Sequence, residues 1–113
     1  MSGCFPSICD NEVLRTVKHP KTGTLAVIFT RGCGATKATG YHLSIVPNVK
    51  NLEDATGNVL IAEAAKGDSK KPFEISAAWL ADDVLEITMP ADARVFRQLT
   101  VFQRIQIRYR QST

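Results

Sequence analysis

Aromatic residues, histidine and long apolar runs are all scarce in this chain of 113 residues. Aromatic side chains make up 7% of the sequence, which leaves little material for stacking the bases of a single-stranded nucleic acid. The longest apolar run is four or five residues, far below the roughly 20 that a membrane-spanning helix needs. Net charge is also low, at +3, and does not by itself indicate nucleic acid. With 44% apolar and 22% charged residues, the chain is typical of one soluble globular domain.

Cysteine is present but sparse, at Cys4, Cys9 and Cys33, and no pair has the C-x-x-C spacing. His19 and His42 do not complete a zinc spacing, so the sequence predicts neither a metal site nor a cofactor. Cys9 and Cys33 have two interpretations. They are either a disulfide that closes a loop of 33 − 9 = 24 residues and contributes about 3 kcal/mol, or two buried thiols of a cytosolic protein. We favour the disulfide.

The start of the chain, Met1-Ser2-Gly3-Cys4, resembles the last four positions of a bacterial lipoprotein signal. The basic and apolar regions of such a signal are absent from the sequence. Either the natural start lies upstream, or the sequence is that of the mature protein, or the match is accidental. We take Cys4 as a candidate lipid attachment site, residues 1–10 as an N-terminal tether and residues 11–111 as a single β domain.

Alternation of apolar and polar residues with period two dominates the rest of the chain, and this period is typical of β-strands. Turn signals separate the alternating runs, as at Pro20–Gly23, Gly57–Asn58 and Asp82–Asp83. The predicted strands fall near 13–17, 25–30, 41–45, 59–62, 73–79, 85–89 and 102–109. They predict an all-β fold, a single antiparallel meander of about seven short strands arranged as a sandwich or a partly open barrel. One short helix is an option near 91–98, because Pro90 suits the first position of a helix.

The last run places Arg104, Arg108 and Arg110 on one face, with Arg94 and Arg97 upstream. This face is the candidate binding surface, and Phe102 is the one aromatic residue that the alternation assigns to it. Such a surface would suit a protein with an acidic surface, an anionic membrane or nucleic acid, although the lack of aromatic residues disfavours nucleic acid. The alternative interpretation is an edge strand that is protected from aggregation by its charges.

Catalytic chemistry finds little support in the sequence. Cys33 and His42 are the one pair that could act as nucleophile and base, and a disulfide-bonded Cys33 is no nucleophile. We expect both His42 and His19 at the surface, and we assign no catalytic residue. The glycine-flanked loop at Cys33 is a second, weaker candidate surface, where backbone amides could face an anion.

The segment from Lys21 to Thr36 resembles a group of small, uncharacterised bacterial proteins, many of which look like exported lipoproteins. The shared pattern is a Pro-x-x-Gly turn, an apolar strand and an Arg-x-Cys-Gly-Ala-Thr segment, and the order of later residues such as Trp79 also fits. The chain departs from the pattern at Lys21–Thr22 and at Gly32, where acidic residues are common. The resemblance implies a β-rich fold and an envelope location, and it implies no activity.

Together these features predict a non-enzymatic, exported or envelope-associated binding domain, the soluble part of a small bacterial lipoprotein. Its partner would be a protein or another envelope component on the periplasmic side, and it would meet the membrane only through a lipid anchor. The alternative is a cytosolic domain with reduced thiols that binds nucleic acid or inhibits another protein.

Overall fold

The computed structural model describes residues 10–32, 40–48, 50, 52, 56–63 and 74–112. Within these residues the chain forms nine β-strands and no α-helix. The strands are β1 (Asp10–Lys18), β2 (Leu25–Gly32), β3 (Gly40–Val46), β4 (Leu60–Glu63), β5 (Ser76–Ala81), β6 (Val84–Pro90), β7 (Arg94–Gln98), β8 (Val101–Phe102) and β9 (Ile105–Ser112). The prediction of an all-β fold is confirmed. The first strand begins at Asp10, the last residue that the sequence assigned to the tether.

The nine strands form two sheets that pack face to face. The first sheet has the strand order β1-β2-β3-β4-β7 and the second has the order β5-β6-β9-β8. The described strands do not close into a barrel, and their arrangement in two sheets is consistent with the predicted sandwich. The predicted hairpin around Asp82–Asp83 is present as β5 and β6, which pair antiparallel from Ser76↔Thr88 to Ala81↔Val84.

Two pairings depart from a meander: β4 pairs with β7 instead of β5, and β6 and β9 run parallel from Val84↔Gln106 to Pro90↔Ser112. A parallel pair requires a crossover of about a dozen residues or more. Here the crossover leaves the second sheet after β6, adds β7 to the edge of the first sheet beside β4, and returns through β8. The segment from β7 to β8 thereby links an edge strand of the first sheet to an edge strand of the second.

The option of a short helix near 91–98 is wrong. Pro90 ends β6, the Ala93 N–H donates to the Pro90 carbonyl, and residues 94–98 then form β7. The pairing with β4 provides the reason, because residues 94–98 can form backbone hydrogen bonds with β4 only in an extended conformation. Val95 and Phe96 also favour an extended backbone over a helix.

The main core lies between the two sheets, where the alternating residues of each sheet meet. Its buried members are Ala26, Ile28, Leu43, Ile45, Val59, Leu60, Ala62, Ile75, Leu85, Ile87, Met89 and Ile107. A second, smaller cluster of Val27, Phe29, Val46 and Leu52 covers the other face of the first sheet. Strand β2 therefore contributes to both cores, as expected for a strand that lies between β1 and β3 and is covered on both faces.

Candidate binding surface

The outer face of the second sheet carries two of the three predicted surface arginines. Ile107 of β9 is buried in the main core, while Arg108 and Arg110 are exposed on the opposite face. Tyr109 lies on the core side, and its hydroxyl donates to the Leu99 carbonyl at 2.5 Å. Burial raises the pKa of Tyr109 to about 12. The alternation of β9 thus places its arginines in solvent and its apolar residues against the core.

Arg104 lies at the beginning of this surface rather than on its strand. It is exposed in the turn between β8 and β9, directly after Gln103, whose φ of 56° is in the left-handed region. The turn directs the chain from β8 into β9. Arg104 therefore lies beyond one end of the strand, and Arg108 is roughly 13 Å further along.

The cross-strand neighbours of the two strand arginines differ. The register pairs Arg108 with Glu86 of β6 and pairs Arg110 with the uncharged Thr88. No ion pair within 4.0 Å joins Glu86 to Arg108, which are both described residues. Glu86 nevertheless offsets part of the positive potential beside Arg108, whereas Arg110 has no acid opposite it on β6. The acid on β6 therefore lies beside Arg108 and not beside Arg110.

Arg94 and Arg97 do not join this surface, because they belong to β7 of the first sheet. Arg97 donates to the Gly57 carbonyl at 3.0 Å. The guanidinium of Arg94 lies 5.8 Å from the centre of the Phe96 ring. Arg94 and Arg97 are close to Arg104 in the sequence, but the crossover places them in the other sheet.

Phe102 also differs from its predicted position. It is half-buried and packs against the main core, while Val101 before it is 57% exposed. Phe102 pairs with Ile105, and two residues directly opposite each other in a sheet share one face. Among the described residues, the outward positions of β9 and of its neighbours β6 and β8 therefore carry no aromatic ring.

Both histidines are buried, which corrects the expectation that they lie at the surface. His19 is 2% exposed, and its Nδ1 accepts hydrogen bonds from the N–H groups of Lys21 and Thr22 at 3.0 and 3.2 Å. Its ring also meets the Trp79 ring edge to face, at 4.9 Å between centres. Since Trp79 Nε1 donates to the Val17 carbonyl, His19 and Trp79 together hold β1 against β5.

His42 is 5% exposed and stacks on Phe29 with ring centres 5.2 Å apart. Its Nδ1 accepts from the Gly57 N–H at 2.8 Å. Burial, and then the positive charges of Arg31 and Arg97, lower the pKa of His42 to about 4. The ring is therefore neutral at pH 7 with its Nδ1 already occupied, a structural arrangement that does not suit a general base.

The predicted cysteine sites, Cys4, Cys9 and Cys33, lie outside the described residues, as does the rest of the glycine-flanked loop after Gly32. Among the residues that are described, no group of three or more potential ligands is placed to hold a metal ion. The same residues contain no helix long and apolar enough to cross a membrane.

Compared with known proteins, the chain matches no family model, no curated protein and no solved structure. The resemblance to small bacterial lipoproteins stays a prediction from the sequence.

Proposed function

We propose that this protein is a non-enzymatic binding domain whose partner is a protein with an acidic surface. One observation carries the proposal: β9 holds Arg108 and Arg110 exposed on the solvent face of the second sheet, and Arg104 lies exposed at its start. From Ala93 to Ser112 the sequence contains five arginines and no acidic residue. Opposite charge on a partner would steer its approach and fix its orientation.

A protein partner suits this surface better than nucleic acid does. Arginines can track a phosphate backbone, but tight binding of single strands also uses aromatic rings on which the bases stack. Phe102 and Tyr109, the aromatic residues nearest these arginines, pack toward the core. Two of the exposed side chains close by in the sequence are aliphatic, with Val101 57% and Leu99 36% exposed. Protein interfaces are enriched in arginine and include non-polar surface of this kind.

The test uses a short synthetic peptide of alternating glutamate and valine and a single-stranded oligonucleotide of equal charge. We expect the peptide to bind more tightly, measured by fluorescence anisotropy at several salt concentrations. Changing Arg108 and Arg110 together to glutamine should weaken peptide binding by about tenfold, because two charge-assisted contacts are lost.

The matched control changes Arg15 and Lys18 together to glutamine, because both are exposed on β1 and the change removes the same charge. We expect this control to alter binding by less than about twofold. Equal losses in the two double variants would show a response to net charge alone and would contradict the proposed surface. Tighter binding of the oligonucleotide, with a steep dependence on salt, would favour the nucleic-acid alternative.

The cell envelope is the proposed location, with Cys4 as the lipid attachment site and Cys9 joined to Cys33. The lipid anchor rests on the sequence of the first four residues. The disulfide also rests on the sequence, where a bridge between Cys9 and Cys33 would close a loop of 24 residues.

We expect the intact mass of protein purified without reductant to increase by one pair of hydrogens after reduction. Peptide mapping of the unreduced protein should recover Cys9 linked to Cys33, and Cys4→Ser should leave that linkage in place. Closing the loop should also raise the free energy of unfolding by about 3 kcal/mol relative to the reduced protein. Unchanged mass on reduction would favour the cytosolic alternative.

A further inference from the structure

The two edges of β9 are paired very differently. On one side β6 follows β9 in an unbroken parallel register from Gln106 to Ser112. On the other side β8 contributes only two residues, which pair with Ile105 and Gln106. Among the described residues, no strand continues this pairing from Arg108 to Ser112. In the described part of the chain, more than half of the length of β9 therefore forms an open sheet edge on this side.

Two hydrogen bonds identify the backbone groups that face this open edge. The Gln106 N–H donates to Asp83 on the β6 side at 2.7 Å, and the Ile107 N–H donates to Thr100 on the β8 side at 2.8 Å. Successive N–H groups of a strand point to opposite sides, so Tyr109 and Gln111 direct their N–H and C=O groups toward the open edge. The strand thus presents the pattern of donors and acceptors that another strand could pair with.

Three edge strands of the sandwich, β1, β5 and β7, are interrupted, whereas the register of β9 with β6 is not. Each of β1, β5 and β7 contains a register shift, and the residue without a cross-strand partner is Leu14, Leu80 and Phe96 respectively. These three side chains are 52%, 50% and 58% exposed. Bulges of this kind twist an edge and hinder the addition of a further strand. The regular edge of β9 lacks that protection.

We propose that the open edge of β9 accepts an extended acidic segment of a partner protein as an added β-strand. This inference rests on the proposed function and specifies how the partner binds. Side chains of an added strand that lie beside Arg108 and Arg110 would be acidic, and the one beside Tyr109 would be apolar, since Tyr109 lies on the core side. The partner segment would therefore alternate acidic and apolar residues.

A second copy of the chain fits this edge poorly. If two β9 strands paired antiparallel about Tyr109, Arg108 of each would lie opposite Arg110 of the other. Like charges directly opposite each other destabilise a sheet. The charge on this strand therefore selects against self-association and in favour of an acidic strand.

The test removes one backbone donor from the open edge and leaves the pairing with β6 in place. Gln111→Pro does this, because the Gln111 N–H points away from β6 and proline is tolerated at a sheet edge. We expect it to weaken binding of the alternating glutamate–valine peptide by about fivefold to tenfold. Gln111→Ala keeps the N–H and should bind like the original protein. Glu86→Gln should tighten binding, because it removes the acid opposite Arg108.

Amide hydrogen exchange gives a second measurement that does not depend on a variant. Saturating peptide should slow exchange at Tyr109 and Gln111, while Arg108 and Arg110, whose N–H groups face β6, should change little. A different result would be that binding needs Arg108 and Arg110, but Gln111→Pro does not weaken it and the peptide does not slow amide exchange. The peptide would then bind the outer face of the sheet. Strand addition would be wrong, while the proposed function would stand. If the peptide does not bind at all, both proposals fail.

Discussion

Replacing Gly57 with alanine should lower the free energy of unfolding by about 2–4 kcal/mol. Gly57 is buried where the chain approaches β4, and an added Cβ would lie 2.5 Å from the Leu60 carbonyl oxygen and 2.9 Å from the His42 Cβ. The Leu43 backbone nitrogen would be 3.1 Å away. Two of these three atoms belong to backbone within the sheet and cannot move aside cheaply. Urea unfolding monitored by Trp79 fluorescence measures the loss.

Gly32→Ala is the matched control. Gly32 is also a glycine of the first sheet, but a Cβ placed there meets no atom within 4 Å. We expect its free energy of unfolding to stay within about 0.5 kcal/mol of the original, because the higher strand preference of alanine offsets small local changes. Comparable losses in the two variants would show that Gly57 is needed for reasons other than close packing.

The close approach at Gly57 belongs to a segment that lies beside β3 before β4 begins. The Gly57 N–H donates to His42 and its carbonyl accepts from Arg97. Asn58 bonds both backbone groups of Ile45 through its side-chain amide, at 2.9 and 3.0 Å. The segment that the sequence marks as a turn thus lies against β3, and side chains replace ladder bonds that a regular strand would make.

Local pattern was sufficient to predict most strands, because alternation reports which residues face a core. The run of Ile105, Ile107 and Tyr109 shows this well, since the structure places all three on the core side of β9. The turn at Pro20–Gly23 followed from the same logic, and Gly23 has the positive φ of 78° that glycine accepts readily. Each of these features depends on neighbours within a few residues.

Pairing between distant strands could not be read in the same way. Nothing local to β9 indicates that its neighbour is β6 in parallel, or that β7 lies in the other sheet. The arginines of residues 94–110 were therefore grouped by sequence, although Arg97 lies near His42 and Arg110 lies near Thr88. For this reason the candidate surface includes Arg108 and Arg110 of β9 but not Arg94 and Arg97 of β7.

His42 was missed because a polar side chain in an alternating strand is read as exposed, and His19 was missed because a polar residue before a turn is read in the same way. His19 had one usable signal, since it directly precedes the Pro20–Gly23 turn, where a side-chain acceptor can bind the backbone N–H groups of the next residues. His42 had none. Its burial depends on the small second core and on Gly57, both of which form only when distant segments meet.

The stability of the protein should fall as the pH decreases from about 6.5 to about 4, and His42 should account for about 3 kcal/mol of the loss. The pKa of His42 is lowered from 6.5 to about 4 by burial and by Arg31 and Arg97. Between these pH values the unfolded chain binds a proton that the folded chain does not. The stabilisation is therefore complete above pH 6.5 and decreases as the pH falls through this range.

Urea unfolding at several pH values measures this effect, and His42→Gln provides the comparison. Glutamine can still accept a hydrogen bond from Gly57 through its side-chain oxygen but does not titrate. Because His19 and the carboxylates are the same in both proteins, the difference between the two pH slopes isolates His42. The variant should lose stability less steeply between pH 6.5 and 4, whatever its stability at pH 7. Parallel slopes would mean that His42 becomes protonated in the folded protein as readily as in the unfolded one, and that its contacts with Phe29 and Gly57 do not depend on a neutral ring.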